Sequence, residues 1–260
     1  MRATHPIPAA SVTLMVGGLT ALLGGAAGTV AWALASTAVG QASVGWSNDV
    51  LDRDRDAAAG RADKPLAAGA ISPRLVGGLA LAAAFASPLL ALPLGAGPAV
   101  VMAAALVSAW LYNAGVKSTP LSWAPYACSF GLVPVFVWPA VGRGWPPAWV
   151  VAATALLGVA AHLMNVIPDL DLDRDAGGLP HRLGRSRSVL LAAGLLVGVL
   201  GLALAAGGAG SPAGLASALV AAGLIAAAVV AVAKGRPRLG FHLTIAAAAA
   251  IGLVVVLARP

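Results

Sequence analysis

The fold class this sequence predicts is an all-α membrane protein, a bundle of about nine transmembrane helices. Three observations carry that prediction. Of its 260 residues 60% are hydrophobic and only 10% charged, against roughly 25% charge in soluble domains. Apolar runs of roughly 18 to 22 residues, the length that crosses a bilayer as a helix, succeed one another between short polar breaks. The 9 acidic residues, all aspartate, are confined to two windows, 49–63 and 169–175.

The runs lie near 8–26, 28–48, 74–94, 97–114, 122–141, 148–167, 187–207, 212–232 and 239–258. The first has the look of a signal peptide, but its basic flank is weak and a second run follows at once, so it is read as a helix. The second and sixth lead directly into the aspartate windows. Between the fourth and fifth stands a short connection opened by Lys117. The fifth contains the sole cysteine, Cys128, which cannot form an internal disulfide and is expected to pack in the apolar span. Trp123, Trp138, Trp145 and Trp149 fall near run ends, where interfacial aromatics collect. The last three runs, like the others, are rich in Ala and Gly, which lets helices approach closely in lipid. No large soluble domain fits; the chain reads as one transmembrane domain over 1–260.

Positive charge sets the orientation, because cytoplasmic loops hold the excess of Lys and Arg. With the N-terminus inside, all 16 Lys and Arg except Arg143 and Arg259 fall on the cytoplasmic side. Both aspartate windows then lie on that same face. This bias accounts for the formal net charge of +7 without a nucleic-acid partner. An integral protein of the cell (plasma) membrane is the expectation, in contact with lipid.

Within the windows a spacing repeats. Asn48, Asp52 and Asp56 read N-x3-D-x3-D, and so do Asn165, Asp169 and Asp173. A helix turns about 100° per residue, so each triplet shares one helical face. Asp54, Asp171 and Asp175 point off that face. Solvated loop charges would account for one or two of these residues, but not for the confinement of every carboxylate to two matching clusters at span ends, where ionisable groups are costly unless paired or functional. A calcium EF-hand is excluded: counted from Asp169, position 6 is Arg174 and position 12 is Pro180, where Gly and a bidentate Glu are needed. The D-x2-D-G pattern of CDP-alcohol phosphotransferases is excluded too, since no Asp is followed by Gly. Hard carboxylate oxygens suit magnesium, which completes its shell with phosphate oxygens. Arg61, Lys64 and Lys117 are cations able to meet the same phosphates. A diphosphate with an apolar tail is the expected substrate.

Four ordered segments carry a resemblance. NDVLDRDRD (48–56) is followed by RADKPLAAGAIS (61–72), LYNAGVKSTPLSW (111–123) and NVIPDLDLDRDAGGLPHRLG (165–184). Together they resemble the UbiA superfamily of intramembrane prenyltransferases, over roughly the first 190 residues. The resemblance implies a helical bundle around a central cavity, with the two Asp motifs facing each other under a cytoplasmic cap. It implies a magnesium-dependent transfer of a polyprenyl group from its diphosphate to a small aromatic, quinoid or polar acceptor, with release of pyrophosphate. Two magnesium ions, replaceable by manganese, would be held by Asp52, Asp56, Asp169 and Asp173. Asn48 and Asn165 belong to the same catalytic motifs. Tyr112, Lys117, Arg61 and Lys64 would meet the substrate. Two departures stand out: Lys64 replaces the family's second Arg, and the second motif has no Tyr within it. A terpene cyclase on the same scaffold would share the ionisation but quench the cation internally. A transporter fits less well, since its charges belong at mid-depth.

His162, three residues before Asn165, is open to two readings, a base toward the acceptor or a hydrogen-bonded core residue. Trp46 is a candidate lining residue for the tail channel, and His181 and His242 read as ordinary loop or interface residues.

Overall fold

The structure, a computed structural model, describes residues 6–58, 60–61, 64–170 and 177–258. All regular structure among them is helical. In chain order the α-helices are α1 (Pro6–Leu22), α2 (Ala27–Leu51), α3 (Arg53–Ala58), α4 (Pro73–Ala91), α5 (Ala96–Asn113), α6 (Ala124–Ala140), α7 (Ala148–Val166), α8 (Leu179–Ala203), α9 (Pro212–Ala233) and α10 (Pro237–Leu257). Each apolar run read from the sequence coincides with one of these, and α3 is a short addition after the second.

Length and composition qualify fewer of them as membrane spans than the nine expected. Among the described residues 6 helices are long and apolar enough: Pro73–Leu94, Ala96–Asn113, Ala148–Asp169, Leu179–Gly208, Pro212–Ala233 and Pro237–Leu257. The apolar parts of α1 and α6 are shorter. Helix α2 is long but not apolar enough, and its packing explains why. Its buried positions include Ser36, Thr37, Gly40, Ser43, Ser47 and Asp49, so this helix turns a small, polar face inward.

The chain divides into two compact units, 1–115 with 132–146, and 116–131 with 147–260. In the first, α2 packs against α1, α4 and α5. Its serines tie the group together: Ser43 Oγ donates to the Ala80 carbonyl at 2.8 Å, and Ser87 Oγ of α4 donates to the Ser36 carbonyl at 2.8 Å. From α5, Trp110 Nε1 donates to Ser43 Oγ at 3.1 Å. Small residues and interhelical hydrogen bonds are what hold helices together where lipid supplies no hydrophobic drive.

In the second unit α7 and α8 pack together, α9 pairs with α10, and α10 reaches α7 and α8. Buried Leu163, Leu196, Val199, Ala221, Ile251 and Val254 form its interior. Helix α8 is interrupted at Gly184, whose φ of 76° and ψ of 168° are not helical. A residue without Cβ is needed there; the apolar run begins only near 187 because His181, Arg182, Arg185 and Arg187 make the first turns of α8 polar. Cys128 corrects an expectation: it is exposed on α6 rather than packed.

Candidate functional site

The first aspartate motif sits where α2 passes into α3. Asp52 donates its backbone N–H to the Asn48 carbonyl at 2.9 Å, and Asp56 donates its own to Asp52 at 2.8 Å. Each four-residue step of the motif is therefore bridged by a helical hydrogen bond, which keeps the three residues on one face. Burial follows that face. Asp52 and Asp56 are 7% and 6% exposed, whereas the Asp54 side chain is 85% exposed and pairs with Arg53 at 2.8 Å. Asn48 is half-buried.

Charge compensation inside this motif comes from Lys64. Its Nζ lies 2.8 Å from Asp56 Oδ2 and 3.1 Å from Asp49 Oδ1, and the residue is 8% exposed. Burial pulls the Lys64 pKa down, but the hydrogen bond to Asp56 and the charge of Asp49 outweigh it, and the net direction is upward. Read from the sequence as a phosphate contact, Lys64 here joins two carboxylates of its own chain. Arg55 Nη2 approaches Asp52 Oδ2 at 3.2 Å. Arg61, half-buried, closes the turn by donating its backbone N–H to the Asp56 carbonyl at 2.9 Å.

Tyr112 is half-buried near the end of α5. The next residue, Asn113, is buried and donates through Nδ2 to Ser47 Oγ at 2.8 Å and to the Val44 carbonyl at 2.9 Å. The foot of α5 is thereby pinned to α2 one turn before Asp52.

The second unit carries the other motif and Lys117. Helix α7 ends at Val166 and continues as a 3-10 turn, Ile167–Asp169. Pro168 has no N–H to give, so the α-helical ladder stops there, and the tighter turn changes the face that Asp169 occupies. The single-face expectation thus holds along the first motif and is altered between Asn165 and Asp169. Both are half-buried, and Asn165 Nδ2 donates to the Tyr126 hydroxyl at 3.3 Å. Asp171, Asp173 and Asp175 lie outside the described residues. Lys117 is half-buried in the 3-10 turn Val116–Ser118.

His162 is fully buried, its Nε2 at 2.9 Å from Ser122 Oγ, and its ring centroid lies 4.9 Å from that of Tyr126. Asp49, Asn113, Ser122 and Tyr126 are the residues that sequence reasoning passed over. Tyr126 places a phenol beside Asn165 although the second motif has no Tyr in its own sequence.

The polar side chains of the two motifs are carboxylates and carboxamides, the oxygen-rich set that hard divalent cations prefer. Among the described residues no three His, Cys, Asp or Glu side chains gather to hold an ion by themselves. Buried Asp52 and Asp56 fit instead the one or two carboxylates a protein supplies when phosphate and water complete the shell.

A family profile, that of the UbiA prenyltransferase family, matches residues 9–244. The chain belongs to this family. With the apolar helices described above, that membership makes it an integral membrane protein of prenyltransferase type. UbiA homologues of known structure share the fold. An apo UbiA homologue from Aeropyrum pernix K1 is 21% identical with a TM-score of 0.77, covering 98% of both chains. A homologue from Archaeoglobus fulgidus bound to GPP and Mg2+ is 15% identical with a TM-score of 0.75, again over 98% of both chains. The same organism's homologue bound to DMAPP and Mg2+ is 17% identical with a TM-score of 0.76, over 98% of this chain and 97% of that one. No curated protein matches the chain significantly.

Proposed function

We propose that this protein is a magnesium-dependent intramembrane prenyltransferase that transfers a polyprenyl group from its diphosphate to a small acceptor. The observation that carries the reading is the pair of buried carboxylates, Asp52 and Asp56, on one helical face at the polar end of α2. Carboxylates at the end of a membrane helix are costly unless paired or functional; Arg55 and Lys64 each meet one oxygen of the pair, and relatives of the same fold bind Mg2+ with GPP or DMAPP.

In this reading Asp52 and Asp56 hold magnesium together with Asp169 and Asp173, with Asn48 and Asn165 as polar partners in the two motifs. The metal supplies Lewis acidity toward the diphosphate oxygens. Lys117 and Arg61 add positive charge where negative charge grows on the leaving group, Arg as a fork and Lys as a point charge. Lys64, paired with both Asp49 and Asp56, keeps the two carboxylates aligned. As the allylic C–O bond breaks, pyrophosphate leaves with the electron pair. The allylic cation is then captured by an acceptor carbon or oxygen, which gives up a proton. Tyr112 offers a ring face able to steady the cation, and the apolar surroundings keep water from intercepting it. In this reading the protein lies in the plasma membrane with its active-site loops facing the cytoplasm, an orientation that the distribution of Lys and Arg supports.

The test is pyrophosphate release from a prenyl diphosphate by the purified chain with magnesium, with and without membrane extract as a source of acceptor. Release that needs the extract and yields a prenylated product is expected. Hydrocarbon formed from the diphosphate alone would make the protein a cyclase, and transbilayer flux without pyrophosphate would make it a transporter.

A further inference from the structure

The turn that carries Lys117 packs against Gly177 and Gly178, which follow the second Asp motif in sequence. A β-carbon at Gly177 would stand 2.5 Å from the Ser118 carbonyl oxygen, and one at Gly178 would stand 2.6 Å from that of Lys117. Real β-carbons do not approach backbone oxygen so closely, so each glycine is required by contact and not by its dihedral angles. Gly177 and Gly178 follow Asp173 by four and five residues in sequence.

Two further bonds fix this contact. Ser122, fully buried, accepts the backbone N–H of Leu179 on its Oγ at 2.9 Å. The same oxygen is 2.9 Å from Nε2 of fully buried His162. The group is satisfied when the Ser122 hydroxyl gives its proton to Nε2, leaving its lone pair to Leu179. On the other side Arg182 Nε donates to the Gly177 carbonyl at 3.0 Å. The Lys117 turn is itself stiff: Thr119 N–H donates to Val116 at 3.0 Å, and Ser122 N–H donates to Thr119 at 3.0 Å.

We propose that Gly177, Gly178 and Ser122, with His162 behind Ser122, are positioning residues that lock the Lys117 turn to the return of the second Asp motif. Lys117 is thereby held in fixed register with α7 and the Asp169 turn that follows it, for the same diphosphate. His162 acts through Ser122 and not as a base toward the acceptor. The inference rests on the prenyltransferase reading, in which Lys117 meets the diphosphate. Register matters because displacement by about 1 Å is enough to lose about 100-fold in a positioned reaction.

The experiment is a double-mutant cycle on the affinity of the purified full chain for magnesium pyrophosphate, read by calorimetry, which needs no acceptor. Lys117→Ala, Gly178→Ala and Ser122→Ala are each expected to weaken binding about tenfold, and Lys117→Ala combined with either of the others to be no weaker than Lys117→Ala alone. Ser122→Thr, which keeps the hydroxyl, should bind within about twofold of wild type. If Gly178→Ala does not fold, the Ser122 pair carries the same cycle. Losses that multiply with Lys117→Ala, or Gly178→Ala and Ser122→Ala proteins that bind as wild type does, overturn the clasp while leaving the prenyltransferase reading intact. Wild-type protein that does not bind magnesium pyrophosphate overturns the parent reading, and the clasp with it; an unaffected Lys117→Ala overturns the role of Lys117 and the clasp that rests on it.

Discussion

Lys64 Nζ lies 2.8 Å from the Asp56 carboxylate in a buried setting, so a residue of the motif following α3 neutralises the end of the motif preceding it. Removing one partner of a buried pair leaves the other charge uncompensated and costs about 3–5 kcal/mol. Lys64→Met should therefore lower the thermal midpoint in detergent by several degrees, and Lys64→Arg, which keeps the charge, by much less. A Lys64→Met protein as stable as wild type would show that the pair contributes nothing.

The same pair has a pH signature. The Lys64 pKa in the fold lies above its ordinary value of 10.5. Its contribution to stability is then present in full below that ordinary value and is lost as pH rises through the higher folded-state value. Between pH 7 and 9 the Lys64 contribution should be flat, and the stability gap between wild type and Lys64→Met should narrow only in strongly alkaline solution. Thermal midpoints of the two proteins across that range check it; a gap that closes near neutrality would contradict the assignment.

Asp52 and Asp56 are buried on one face and Asp54 is exposed. Asp52→Asn and Asp56→Asn should each cut turnover about 100-fold or more, the scale on which removal of one preorganised electrostatic group acts. Asp54→Asn removes only a surface pair with Arg53, worth about 0–1 kcal/mol, and turnover should stay within about fivefold. Equal losses at all three positions would overturn the facial assignment.

That distinction was legible in the sequence because it needs only helical periodicity, which is local. The inward polar face of α2 was legible as well, in hindsight, from serines and Gly40 recurring at three- and four-residue steps, though hydropathy averaged over the whole run hid it. What could not be read was pairing across the chain. Ser122 meets Leu179 from 57 positions away, and Asn113 meets Ser47 from 66; no periodicity encodes such meetings. Lys64 is an intermediate case. It is only 8 positions from Asp56, but a charge beside a charged motif can as well face a substrate as a carboxylate of its own chain, and only the fold decides. Pro168 gave a readable signal that the second motif would leave the α-helical path, which the symmetry of the two N-x3-D-x3-D spacings obscured.

The Lys and Arg distribution makes a topological prediction. Residues near 58 should be cytoplasmic, and residues near 145 should lie on the opposite side. Trp145 is 80% exposed, and Ala58 is exposed, so cysteines at either place are open to reagents. In a Cys128→Ser background, Trp145→Cys should label with a membrane-impermeant maleimide in intact cells, and Ala58→Cys only after lysis. Labelling of both from one side would mean that the number of crossings between them is even, one fewer or one more than the three expected.

Turnover should require a divalent cation and depend on Lys117 in a particular way. The diphosphate carries several negative charges, and magnesium ions neutralise only part of them. A cation positioned in a stiff turn interacts more strongly with the departing pyrophosphate than with the bound substrate, because negative charge builds on the leaving oxygen as the carbon–oxygen bond breaks. Interactions that grow toward the transition state appear in kcat, and those equal in ground and transition states appear in KM. Lys117→Ala is therefore expected to lower kcat about 100-fold while changing KM by no more than about threefold, and EDTA should abolish turnover until magnesium or manganese is restored. Steady-state kinetics of pyrophosphate release measures both. A Lys117→Ala protein altered in KM alone would place this lysine in ground-state binding, and full activity in EDTA would remove the metal, and with it the reason for two clusters of aspartate at the ends of α2 and α7.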